Sequence, residues 1–262
     1  MSDSPLKYWL ERDGQVLRLQ LVRPKANIID AAMIDSLSAA LRSHTDEPRL
    51  MAVVLDAQGP NFSFGASVEE HLPEQCAGML NKLNALIMQM IEYPVPIIAA
   101  VNGQCLGGGL EVACAASVII AAPNAKLGQP EISLAVFAPA ASCLLPERVG
   151  HSQAEMLLLS GQSVDANKAS EIGLIDEVCD EPTTAALQWI DDNLIGKSAS
   201  SLRIAVTAAR HDYIERIKEK LAAVTVMYLD ELMQTDDAVE GLNAFLEKRK
   251  PVWENDTKGA DQ

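Results

Sequence analysis

No stretch of the chain approaches 18 consecutive apolar residues, which excludes a membrane-spanning helix. The opening residues, MSDSPLK, lack the apolar centre of a secretory leader. Cysteine is scarce, and none of Cys76, Cys105, Cys114, Cys143 and Cys179 belongs to a CxxC pair. That argues against a disulfide framework and for reduced, buried thiols in a cytoplasmic protein. His44, His151 and His211 show no metal-ligand spacing, so no metal is expected. Cations are outnumbered, 21 Lys and Arg against 36 Asp and Glu, and the formal net charge of −15 argues against nucleic acid or an anionic membrane as partner. A small anionic ligand is still compatible, because a local basic cluster such as that at 247–250 can dominate its surroundings.

What is present is the composition of a globular chain, 48% hydrophobic and 22% charged over 262 residues, long enough to bury a substantial core. The first half alternates short apolar runs with helical patterns. Strands are expected over 8–12 and 16–22, joined by the turn Asp13-Gly14, then over 51–56, 96–101 and 118–122. Helices are expected over 31–43, with Asp30 as N-cap, and over 77–92, stopping before Pro94. From residue 152 the pattern is mostly helical, over 153–160, 165–172, 183–194, 199–210, 212–233 and 237–248. Such alternation predicts an α/β core with parallel strands, continuous with a helical C-terminal region.

The chemistry concentrates in IAAVNGQCLGGGLE at 98–111 and GQPE at 128–131. Gly107, Gly108 and Gly109 stand where a buried strand gives way to a helix, so a ligand can approach the backbone closely. The first N–H groups of that helix lack helical partners, and with the helix dipole they suit an anionic oxygen. Glu111 lies in the first turn and Glu131 follows 20 residues later, which sets a carboxylate pair beside the oxyanion site. Two nearby carboxyls whose pKa values are pushed apart can divide the work of acid and base.

These residues belong to a longer pattern: RPKAN at 23–27, FSFGA at 62–66, the 96–111 segment, AKLGQPE at 125–131, QSVDANKASEIGL at 162–174 and EGLNAFLEKR at 240–249, in that order. The pattern resembles the crotonase (enoyl-CoA hydratase/isomerase) superfamily over nearly the full length. The resemblance implies a crotonase-like spiral of strand–strand–helix repeats over residues 1–195. It also implies a helical C-terminal region, 196–262, that trimerises and lids the coenzyme A site. The substrate it implies is an acyl-CoA thioester, with coenzyme A part of the substrate and no separate cofactor. It places the oxyanion hole at the backbone N–H groups of Ala66 and Gly108, and the catalytic pair at Glu111 and Glu131. Contacts to coenzyme A or substrate are implied for Lys25, Ala26, Ser67, Val68, Phe245 and Lys248. Retention of both glutamates favours hydration over isomerisation, since moving a proton alone needs only one acid.

The chain departs from the common hydratases after the second glutamate, where their Gly-rich segment is replaced by FAPAASCLL at 137–145. Ala, Pro and Ser in place of glycines reshape and stiffen the acyl pocket. These departures, with FSFGASVEEH at 62–71 and VFAPAASCLLPER at 136–148, resemble the cyclohexa-1,5-diene-1-carbonyl-CoA hydratase branch of anaerobic benzoyl-CoA degradation. That branch implies water addition to a cyclic diene to give 6-hydroxycyclohex-1-ene-1-carbonyl-CoA. Alternatives within the fold are a straight-chain 2-enoyl-CoA hydratase, a hydrolase or an isomerase; outside catalysis, a CoA-binding scaffold. His71 is expected at a helix start with a local hydrogen bond. The apolar residues Ile204, Val206, Leu221, Val224, Met227 and Leu232 predict an oligomer, and the resemblance implies that it is a homotrimer or dimer of trimers.

Overall fold

A computed structural model of the chain describes residues 4–254; the outermost ends of the two expected regions, 1–3 and 255–262, lie outside the described residues. Six strands form the main sheet in the order β1 (Leu6–Glu11), β2 (Val16–Leu21), β3 (Ala52–Ala57), β4 (Ile97–Val101), β6 (Val118–Ala121) and β9 (Glu177–Val178). Within this sheet only the β1–β2 hairpin is antiparallel; every later pairing in it is parallel. The central strands are apolar on both faces because both faces are covered. Val16, Ala52, Val54, Ile98 and Ile120 meet Ala186 and Ile190 of α6 (Pro182–Asn193). Leu17, Val53, Leu55, Ile97 and Ile119 point into the larger core with Met33 and Leu37 of α1 (Ala31–His44) and Leu83 and Ile87 of α2 (Cys76–Ile91). Asp30 caps α1, its carboxylate accepting from the Met33 N–H at 2.9 Å.

A second, three-stranded sheet was not expected from the sequence. It consists of β5 (Gln104–Leu106), β7 (Lys126–Gly128) and β8 (Ser163–Asp165), with β7 in the middle. β5 separates β4 from the short α3 (Gly108–Cys114), so the strand-to-helix passage contains a further strand before the glycines.

The helical half also differs from expectation. α4 spans Pro139–Ser160 with a break at Gly150 (φ 74°, ψ 164°), so the helix expected at 153–160 begins well before it, inside the FAPAASCLL segment. Two helices expected at 199–210 and 212–233 are instead one 28-residue helix, α7 (Ala199–Val226), closed by a π-turn, Met227–Glu231. Nothing between Ser198 and Val226 is Gly or Pro, so nothing breaks the ladder. α7 packs on α2 and α4, and Leu221 belongs to the core, whereas Ile204 and Met227 are exposed. After the short α5 (Ala166–Glu171) and α6, the last helix, α8 (Asp236–Leu246), returns to the 3₁₀ turn Pro130–Leu134. A Cβ at Gly241 would lie 2.2 Å from the Leu134 carbonyl oxygen, so only glycine permits this approach. This contact carries Leu242 and Phe245 to the site.

Candidate active site

An apolar cavity of about 350 Å³ opens between the 64–71 segment, the β5–α3 turn, the 130–136 turn and α8. Gly65, Ala66, Val68, His71, Leu106, Gly107, Glu131, Leu134, Val136, Leu242 and Phe245 are among the residues that line it. Of the residues singled out in the sequence, Ala66, Val68, Glu131 and Phe245 therefore meet at one cavity. Ala26 and Ser67 line an adjoining polar cleft with Arg23, Asp30 and Glu70. Lys25 and Lys248 are exposed and line neither space.

Gly108 packs directly on Ala66: a Cβ at 108 would lie 3.0 Å from both the Ala66 N and its Cβ. Neither backbone N–H, of Ala66 or of Gly108, has a hydrogen-bond partner among the described residues. Flanking carbonyls are used, Gly65 O accepting from the Ile29 N–H and Ser63 O from the Leu106 N–H. Ala66 lines the cavity and Gly108, packed against it, follows the lining residue Gly107; two such neighbouring unspent donors can bind an oxygen that carries developing negative charge. Gly107 adopts φ +48°, and a Cβ there would lie 2.6 Å from Glu131 Oε1. Both conformation and space therefore require glycine beside this carboxylate.

Glu111 is 3% exposed, on α3 behind the cavity wall. Its Oε1 accepts from the Ala141 N–H at 2.8 Å. Ala141 lies in the first turn of α4, whose N-cap residue, Ala138, offers no side-chain oxygen. Glu111 thus occupies one of the orphan donors of that helix from a distance of 30 residues in sequence. Burial nevertheless raises its pKa, and the Ala141 and Ala140 amides only partly offset this. Glu131 is raised too, by burial first and by the neighbouring Glu111 charge second. The doubly ionised state is therefore disfavoured, which leaves one carboxyl able to hold a proton beside an ionised partner, as acid–base chemistry at one substrate requires.

Gln129 is a site residue that sequence reasoning quoted within its motif but gave no role. It is 1% exposed, and its amide nitrogen, in the orientation that satisfies both groups, donates to both Glu131 carboxylate oxygens at 2.9 and 3.0 Å. Its spacing two residues before Glu131, across Pro130, gave no helical or strand signal. The Ala141 amide was missed as well, although Pro139 at a first helical position was a legible start signal. His71 makes the expected local bond, Nδ1 to the Ser67 carbonyl at 2.7 Å, and also lines the cavity. All five cysteines are free thiols. Among the described residues no helix is long and apolar enough to cross a membrane, and no three His, Cys, Asp or Glu side chains cluster within reach of one ion.

A profile of the enoyl-CoA hydratase/isomerase family matches residues 11–256. A cyclohexa-1,5-dienecarbonyl-CoA hydratase from Thauera aromatica is 61% identical over 97% of this chain and 98% of its own. A carnitinyl-CoA dehydratase from Citrobacter koseri is 29% identical over 92% of this chain and 96% of its own. Among solved structures, an enoyl-CoA hydratase from Mycobacterium avium superposes with a TM-score of 0.83 at 27% identity, covering 95% of this chain and 98% of that one.

Proposed function

The chain belongs to the enoyl-CoA hydratase/isomerase family and is a hydro-lyase, and from that premise we propose that it adds water to cyclohexa-1,5-diene-1-carbonyl-CoA, giving 6-hydroxycyclohex-1-ene-1-carbonyl-CoA. The observation that carries the substrate is the 61% identity, over 97% of the chain, to the hydratase of that diene.

The geometry supports the following chemistry. The thioester carbonyl accepts hydrogen bonds from the Ala66 and Gly108 N–H groups, so charge pushed onto its oxygen is stabilised; one such donor is typically worth about 2.7–4 kcal/mol. Glu111, as carboxylate, removes a proton from water while the water oxygen bonds to the ring carbon β to the carbonyl. The π electrons move onto the thioester as a dienolate. Glu131, as carboxylic acid, delivers its proton to the far end of that dienolate, and the remaining double bond settles between the two. Water's other proton stays on the new hydroxyl, so the atoms of one water are all accounted for. Gln129 holds Glu131 in place, and the apolar lining from Leu106, Leu134, Val136 and Leu242 suits a cyclic hydrocarbon. Coenzyme A arrives as part of the substrate, its chain running past Ala26, Ser67 and Val68, with Phe245 at the mouth and Lys25 and Lys248 available to its phosphates. No metal or further cofactor enters this reading.

We further read the two sheets and their helices as the spiral of strand–strand–helix repeats over 1–195. The helical remainder assembles the chain into a trimer or a dimer of trimers in the cytoplasm, a compartment that suits five free thiols. Absorbance-monitored hydration of cyclohexa-1,5-diene-1-carbonyl-CoA against crotonyl-CoA tests the substrate. A strong preference for the cyclic diene is expected; preference for crotonyl-CoA overturns that choice while leaving the family intact.

A further inference from the structure

Tyr228 sits in the π-turn that ends α7, and it is the bulkiest side chain the fold buries completely. Its ring meets Phe137 edge-on, centroids 5.2 Å apart at 68°. Phe137 opens the segment that continues through Pro139 into the first turn of α4, where the Ala141 N–H holds Glu111. The ring is therefore fully used in packing. The hydroxyl is not: Tyr228 Oη is buried and has no hydrogen-bond partner among the described residues. A buried hydroxyl without a partner is destabilising, and phenylalanine would fill the same space without that penalty. Such a group calls for a partner that arrives with the ligands. Burial keeps the phenol protonated far above its usual range, with smaller contributions in the same direction from Cys76, Glu111 and Glu131. It is a donor outside the cavity lining itself, joined to the site through Phe137, whose chain neighbour Val136 lines the cavity.

We infer that Tyr228 is a third catalytic residue of the site, its hydroxyl holding the attacking water against Glu111. The inference rests on the hydratase reading above. The phenol donates to the water oxygen, Glu111 accepts one water proton, and the remaining lone pair is free for the ring carbon. As the C–O bond forms, the proton passes to Glu111 and the phenol hydrogen bond transfers to the new hydroxyl. Tyr228 itself neither gains nor loses a proton.

Tyr228→Phe tests this, because it removes one oxygen and leaves the ring and its Phe137 contact. The expected result is a fall in kcat for diene hydration of about 10- to 100-fold with KM little changed. The thermal midpoint should be unchanged or higher, since an unpartnered polar atom has been removed. A second readout separates water handling from general damage. In D2O the enzyme should exchange hydrogen at the γ-carbon of 6-hydroxycyclohex-1-ene-1-carbonyl-CoA, through the dienolate and Glu131, with no water added or lost. That exchange should survive in Tyr228→Phe while hydration falls. Unchanged hydration, or loss of hydration and exchange together with a lowered midpoint, overturns the inference. If the wild type prefers crotonyl-CoA, the substrate reading fails but the same Tyr228→Phe comparison on crotonyl-CoA still decides the role of the hydroxyl.

Discussion

At the scale of the residue, the site is organised by how burial acts on two carboxyls. Both Glu111 and Glu131 have their pKa values raised, each chiefly by burial, and Glu131 further by Glu111. A raised pKa in the folded state means the native protein binds more protons than the unfolded chain as pH climbs above the ordinary glutamate value of 4.5. Stability attributable to the pair is therefore greatest at low pH and declines as pH rises towards the raised values. Glu111→Gln and Glu131→Gln each remove one such group. Their thermal midpoints should gain on the wild type steadily between about pH 5 and pH 8, and parallel midpoint curves would show that burial does not bear on these groups as argued. Activity should move the opposite way. Each variant loses one arm of acid–base chemistry, a fall of about 10²- to 10⁴-fold in kcat. The wild-type rate should be bell-shaped in pH, both limbs belonging to the pair and not to either residue. A variant retaining near wild-type hydration would remove its glutamate from the mechanism.

At the scale of the element, the strands carry a second buried charge system, remote from the cavity. Arg18 on β2 pairs with Asp56 on β3 and, at 3.0 Å, with Glu11 on β1, and its guanidinium stands 5.1 Å over the Trp9 ring. Thr183 at the start of α6 also donates to Asp56, at 3.1 Å, so two ion pairs sharing Arg18 tie three strands to the helix that covers them. Arg18→Met should destabilise by about 3–5 kcal/mol, because it strands Asp56 in the interior. Asp56→Leu combined with Arg18→Met should recover part of that loss in denaturant titration; if the double variant is as weak as the sum of the singles, the two do not act as a pair. The elements also show what could be read beforehand. The strands β2, β3, β4 and β6, the helices α1 and α2 and the Asp30 cap were legible, because each is long enough for its apolar period or carries its own start signal. The second sheet was not, since three-residue strands such as Gln104–Leu106 and Lys126–Gly128 show no period. Glu111 and Glu131 were visible from their motif. Gln129, the Ala141 amide and Tyr228 were not, because each reaches the site through a tertiary contact that no local pattern encodes.

At the scale of the whole molecule, the question is what covers the apolar surface left by one chain. Met156 and Leu159 share a face of α4, three residues apart, at 64% and 70% exposure. Gly161, which ends that helix, lies against Ile132 Cγ2, and Ile132 is itself 40% exposed and adjoins Glu131 in sequence. The patch is thus next to the turn that presents the acid. A second copy of the chain seated there would brace that turn as well as bury the apolar side chains, which links assembly to catalysis. Light scattering should give the mass of three or six chains. Met156→Glu with Leu159→Glu should shift the protein towards the mass of one chain and lower hydration most at high dilution, where assembly is weakest. An unchanged mass would place the interface elsewhere, the exposed Ile204 and Met227 of the long helix region being the next candidates. A wild type that runs as a single chain with full activity would remove assembly from the account of the site altogether.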